Sequence, residues 1–156
     1  FPGRSQGGKD FPMPDFSAID ISASALRAER FRMELIAQNI ANVNTTRTAA
    51  GGPYKRKEAG FSSLYSDQMG FARSFDPTRK QGVGVANVVV DQSPPKLLYN
   101  PDHPDAGADG FVRMPNINPV SEMVNMIAAS RAYEANIAAI QNYRRMADKA
   151  MTIGHM

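Results

Sequence analysis

Apolar residues recur every seventh position near both ends of the chain and almost nowhere between. From Phe16 to Asn44, Ile19, Leu26, Met33 and Ile40 repeat at that interval, with Ala23, Arg30 and Ala37 between them. From Pro119 to Ile153, Met126, Tyr133, Ile140 and Ala147 do the same, joined by Ser130, Ile137, Arg144 and Met151. A spacing of three and four draws a narrow stripe along a helix, the geometry of a seam against another helix. The pattern predicts a mainly α fold, with long, paired, coiled-coil-like N- and C-terminal helices. These helices are free to pair with each other or with helices of neighbouring subunits, which points to assembly rather than catalysis.

The first helix starts at Ser17, a suitable cap, with Asp20 in its first turn to complement the dipole. It ends near residues 39–44, where Asn39, Asn42 and Asn44 weaken it by competing for backbone hydrogen bonds. Those amides also suit backbone groups of neighbouring subunits, where burial would demand partners. The second helix starts from Asn118 as cap, Pro119 in the first position and Glu122 in the first turn. Gly154 offers a stop.

The middle reads as a small β-rich insert. Thr45–Pro53 is loop, Tyr54–Ser62 a loosely alternating strand, and residues 63–81 a mobile connection without a period. Val83, Val85 and Val88–Val90 form the clearest β-prone segment, bounded by Gly82, Gly84 and Pro94–Pro95. Leu97–Tyr99 and Phe111–Met114 are short strands separated by the turn-rich stretch Asn100–Gly110. The expected organisation is a flexible lead-in at 1–15, an N-terminal assembly helix at 16–44, the insert at 45–118, and a C-terminal assembly helix at 119–156.

Composition narrows the function classes. The 156 residues contain no Cys, which excludes disulfides and thiolate metal sites. No run is long and apolar enough for a membrane-spanning helix, and residues 1–15 lack the segments of a cleavable signal peptide. Nine Met and no Trp suit adaptable packing surfaces, with Met123, Met126, Met146 and Met151 as interface filler. The net charge of +3 is unevenly spread. Residues 45–80 carry seven Lys/Arg against three Asp/Glu, a balance of +4, and residues 81–118 two against four, a balance of −2. A small basic helical adaptor, binding an acidic partner or nucleic acid through residues 45–80, is therefore the alternative function. Its weakness is that no aromatics are interleaved for base stacking. The run Lys55-Arg56-Lys57 reads most simply as an exposed strand or loop face.

Chemistry has little to stand on. Asp102-His103-Pro104-Asp105 with Asp109-Gly110 lacks the ligand spacing of a calcium loop and the extra nitrogen or sulfur donors zinc needs. The cluster is ordinary turn chemistry. His155 sits at the frayed end, and no Gly-rich phosphate loop follows a strand. No catalytic residue, cofactor or metal is expected, and the chain is read as not an enzyme.

Three motifs in order carry a resemblance. Asn39-Ile40-Ala41-Asn42-Val43-Asn44-Thr45, with Phe16–Leu26 before it, resembles the N-terminal signature of bacterial flagellar rod and hook proteins. Residues Glu122–Asn136 (EMVNMIAASRAYEAN) are similar to the C-terminal helix of that family. Asp109-Gly110-Phe111-Val112-Arg113-Met114-Pro115-Asn116 favours its proximal rod members. The resemblance implies a periplasmic subunit of the torque-bearing rod, exported through the flagellar apparatus without a cleaved signal. Implied partners are other rod subunits, copies of itself, the membrane ring with its junction proteins, and the export apparatus. Neither nucleic-acid binding nor membrane insertion is expected. The interface is expected at Ile19, Leu26, Met33, Ile40, Asn42, Asn44, Met126, Tyr133, Ile137 and Ile140. Residues 1–15 precede the family's usual start and are read as an extension. Helices of this kind are marginal until an apolar face is buried, so the free monomer is expected to order its termini on assembly.

Overall fold

A computed structural model describes residues 17–64 and 82–154. In chain order they form α1 (Ser17–Ala41), β1 (Lys57–Leu64), β2 (Gly82–Val90), β3 (Lys96–Tyr99), β4 (Phe111–Met114) and α2 (Pro119–Gly154). The lead-in at 1–15, Phe16, most of the expected connection at 63–81, and His155 lie outside the described residues. Ser63 and Leu64 belong to β1.

The two helices lie against each other and are antiparallel. Asn39, near the end of α1, meets Glu122 in the first turn of α2, and from there the helices make the most extensive packing between elements among the described residues. The first turn of α2 forms as its sequence dictates: Asn118 Oδ1 accepts from the Val120 amide at 3.0 Å, and the Asn118 carbonyl accepts from the Glu122 amide at 3.1 Å. At the same end of the pair, α1 closes on its asparagines. Asn42 donates from its amide side chain back to the Gln38 carbonyl at 2.8 Å, and its own carbonyl accepts from the Thr45 amide at 3.1 Å. The chain thereby turns out of the helix instead of extending it.

Helix α1 also carries the ribbon β1–β2. This antiparallel pair runs from Lys57↔Val90 to Leu64↔Gly82, with a bulge at Gly60/Phe61. At Gly60 a Cβ would stand 2.1 Å from Asn87 Oδ1, so a larger residue there would displace the Asn87 side chain. Ser24, buried on α1, accepts from the Val83 amide at 3.0 Å and donates to the Ile21 carbonyl at 2.6 Å, tying the ribbon to the helix. A second hairpin pairs β3 with β4, from Lys96↔Met114 to Tyr99↔Phe111. Its approach to Gly110 is close: φ is 73°, and a Cβ would lie 2.9 Å from the Tyr99 ring.

Burial is concentrated where these parts meet. Ala28, Leu35, Ile36, Val112, Ile117 and Ala129 form the apolar core. Ala28 and Ala129 are small, which lets backbones approach closely. At about 1.5 Å per residue α1 is roughly 37 Å long and α2 roughly 54 Å. With Asn39 opposite Glu122, Ser17 (22 residues back) falls opposite position 144 (22 residues on). Residues 145–154 of α2 therefore run past the described part of α1.

Candidate assembly interface

The junction of α1, β1 and α2 is built around a polar side chain. Asn39 is completely buried, and its amide makes every hydrogen bond available to it. Nδ2 donates to the Lys57 carbonyl at 2.8 Å and to Glu122 Oε2 at 3.0 Å. Oδ1 accepts from the Lys57 amide at 3.0 Å and from the Tyr54 hydroxyl at 3.1 Å. The side chain thus pairs with both backbone groups of Lys57, as a neighbouring strand would, and fixes where β1 begins. That is why β1 starts at Lys57 and not at Tyr54 as the sequence suggests: residues 54–56 serve this junction.

Glu122 is the second centre, 2% exposed, and its carboxylate is divided between two partners. One oxygen accepts from Asn39, the other from Arg56 Nε at 2.8 Å. Arg56 also reaches Glu58 Oε2 through Nη1 at 3.0 Å. The hydrogen bond it donates to Glu122 holds the Arg56 guanidinium above its ordinary pKa, against the opposing effect of burial. Burial, and then the negative charge of Glu122, push the Tyr54 phenol up. A carboxylate this deep is tolerated because it is paired with Arg56 and each of its oxygens accepts a hydrogen bond.

The basic run is consequently no uniform charged face. Arg56 turns inward to Glu122, Lys55 Nζ donates to Gln92 Oε1 at 2.8 Å, and Lys57 Nζ sits 5.6 Å from the centroid of the Tyr54 ring.

The faces of the helices separate into distinct rows. On α1 the deepest residues are Ser24, Ala28, Leu35, Ile36 and Asn39. Ser24 and Asn39 mark the side turned to the ribbon. Ile36 joins Arg32, Glu122 and Asn125 in lining a small crevice. Of the expected interface residues, Ile19, Leu26, Met33 and Ile40 lie roughly 160° around the barrel from the ribbon-facing row and are half-buried, whereas Arg30 and Ala37 of the same stripe are exposed. Asn42 is half-buried and closes the helix end; Asn44 is exposed. On α2, Met126, Tyr133, Ile137 and Ile140 are half-buried. Beside this row Glu122 and Ala129 are buried and Asn136 and Tyr143 half-buried, while Arg144 and Met151 are exposed.

A further row was anticipated only at Met123. Val120 (65% exposed), Met123 (51%), Val124 (61%) and Ile127 (55%) follow the spacing i, i+3, i+4, i+7 on the side of α2 opposite Glu122 and Ala129. Farther along, Met146, Met151 and Ile153 are exposed on the stretch that outruns α1. The beginning of α2 thus buries Glu122 and Ala129 on one side and carries an apolar row on the other, which no described residue covers.

Comparison with known proteins gives this arrangement its family. Residues 19–47 match the family model for flagella basal body rod proteins, and residues 108–153 match the C-terminal model of flagellar basal body rod FlgEFG proteins. A flagellar basal-body rod protein FlgC from Borreliella burgdorferi is 42% identical over 147 residues, 88% of this chain and 96% of the relative. The chain belongs to the FlgC family of flagellar basal-body rod proteins. A FlgC from Bacillus subtilis is 38% identical over 91% of this chain and 99% of its own length. The Salmonella typhimurium FlgC is 39% identical, over 87% and 95%. Membership agrees with the proximal rod resemblance of the sequence motifs, and it makes the chain a structural protein and not an enzyme. The two matched segments are the ones whose elements meet at Asn39 and Glu122.

Proposed function

We propose that this structural rod subunit assembles through its terminal helices into the proximal rod, packing against copies of itself and other rod subunits. The observation that carries the reading is the exposed apolar row on α2. Four large apolar side chains at helical spacing, on the far side from α1, form a surface that a second helix would bury, at roughly 1.5–3 kcal/mol per side chain. The half-buried rows at Ile19, Leu26, Met33 and Ile40 and at Met126, Tyr133, Ile137 and Ile140 extend the contact, with Asn42 and Asn44 at its edge. The α1–α2 pair then works as a coiled-coil-like core that carries torque along long helices, with the ribbon β1–β2 on the side of α1 that Ser24 and Asn39 face. Placement in the periplasm, export without a cleaved signal, and contact with the membrane ring and its junction proteins belong to the same reading.

The test has two parts. Electron microscopy of basal bodies from a strain lacking this gene should show membrane rings without complete rods, restored by the intact gene. Complementation with Val124→Asp or Ile127→Asp should fail in the same way, although the purified variants melt within a few degrees of the parent. Both side chains are more than half exposed, and surface changes are usually within about 0.5 kcal/mol. Complete rods without the gene would refute the reading; complete rods with both variants would take the α2 row out of the interface.

A further inference from the structure

Between the loop that follows α1 and the tip of the β3–β4 hairpin lies an open cleft of about 330 Å³ that the helix junction does not use. Its two walls are ordered by their own hydrogen bonds. On one side the Tyr54 amide donates to the Thr45 carbonyl at 3.0 Å and the Thr48 amide to the Gly52 carbonyl at 2.9 Å. On the other the Asn100 amide donates to the Gly110 carbonyl at 3.0 Å and the Gly107 amide to the Phe111 carbonyl at 3.0 Å. Thr46 Oγ1 donates to Asp105 Oδ2 at 2.7 Å, and this bond ties wall to wall. The opening is thus set before anything enters it.

Two guanidinium-bearing residues line the cleft, Arg47 from the loop and Arg113 from β4. Both are exposed, and neither makes a hydrogen bond or ion pair with another described residue, in contrast to Arg56. Phe111 and Pro53 supply apolar surface beside them. We propose that the cleft is a carboxylate site, which takes an Asp or Glu side chain of a neighbouring rod subunit. Planar guanidinium forks match a carboxylate in geometry and charge. Asp105 stands in the same cleft, so two positive charges face one negative and the balance is a single positive charge. That balance suits a monoanionic carboxylate and disfavours a phosphate dianion, which would crowd Asp105 with a second negative charge.

The carboxylate chemistry stands on the cleft; its source in a neighbouring subunit rests on the rod reading above. The Nε–H resonances of Arg47 and Arg113 in the full chain are followed by NMR while the peptide acetyl-Gly-Glu-Gly-amide is added. Both should shift saturably, with binding about tenfold weaker for the Gln peptide or inorganic phosphate and lost in Arg113→Gln. Arg113 is exposed, so the variant should melt as the parent does. Equal response to the Gln peptide, tighter response to phosphate, or no movement of either arginine would overturn the site. In cells, Arg47→Gln/Arg113→Gln should reduce swimming and the number of complete rods. Peptide binding alongside normal rods in that variant would overturn the neighbouring-subunit source alone. Complete rods in the gene deletion would instead overturn the rod reading and leave the peptide result standing.

Discussion

Glu122→Ala removes the acceptor shared by Arg56 and Asn39, and the structure sets the size of the loss. Hydrogen bonds to charged groups contribute about 1.5–3 kcal/mol each. Arg56 keeps Glu58 and a side chain 25% exposed, so water and that second carboxylate offset part of its loss. Asn39 Nδ2 keeps the Lys57 carbonyl. Both contributions therefore fall at the low end, and with the lost packing the sum is about 3 kcal/mol. For a chain of this size each kcal/mol moves Tm by about 2–4 °C, which gives a fall of about 6–12 °C. Glu122→Gln keeps the shape but turns an amide donor toward one of two donors, and should cost about 2 kcal/mol. Helix circular dichroism followed through urea and heat measures both variants. A double-mutant cycle with Arg56→Met should return a coupling of about 1 kcal/mol or more. A Gln variant within about 0.5 kcal/mol of the parent, or a coupling near zero, would mean that the junction does not hold the helices.

Tyr54→Phe should lose about 1 kcal/mol at neutral pH with the hydroxyl's bond to Asn39. Because the folded phenol's pKa is raised by burial and then by Glu122, the hydroxyl's contribution is intact below the unfolded value and lost as pH rises through the folded one. The gap between parent and variant should narrow above pH ~10, and a constant gap in alkaline melts would contradict this. Asp91 is held below the usual carboxylate range by the Ser93 hydroxyl and then the Ser93 amide. Ser93→Ala should raise its pKa part of the way back in a carboxyl-carbon NMR titration, and no change would exclude the hydroxyl as the cause. Ile40→Asp and Ile137→Asp, at half-buried positions, should each cost about 2 kcal/mol in folding and block rod assembly. Normal rods from either variant would take that residue out of the interface.

The elements were largely legible because each depends on local chemistry. Valines bounded by Gly and Pro give β2, and Asn118-Pro119 with Glu122 gives the start of α2 within its first turn. The end of α1 follows from asparagines that bond their own backbone, as Asn42 does. The polar junction was not legible. Asn39 and Glu122 are 83 positions apart, and each has a sufficient local explanation, one as a helix-end residue and the other as a dipole partner. A usable signal lay in register: Asn39 follows Leu35 by four, and Glu122 precedes Ala129 by seven. Each is thus a polar residue standing in a row that is otherwise buried. The stripe at Ile19, Leu26, Met33 and Ile40 is half-buried and not the deepest row of α1, for a related reason. Seven-residue spacing reports the faces of one helix, but α1 packs against both α2 and a ribbon. Its deepest row is therefore the one at Ser24, Ala28 and Leu35, where small or polar side chains hide it from a hydrophobic count.

The same double packing explains why α2, and not α1, presents apolar surface outward. α1 is flanked on two sides within its own chain, and its remaining face carries Arg27, Arg30, Glu34 and Gln38, suited to water. Among the described helices and strands α2 packs against α1 alone, covers it with Glu122, Ala129 and their row, and leaves Val120, Met123, Val124 and Ile127 without cover. A buried carboxylate on one side of the first turns and exposed valines on the other invert what an isolated amphipathic helix would choose. The inversion is intelligible if the two sides have different tasks. The polar side fixes one register between α1 and α2, since a shift of either helix would strand a buried charge. The apolar side is left to non-directional burial, which accommodates neighbours in a helical assembly that do not all approach alike. Register is then set inside the subunit, and cohesion comes from between subunits.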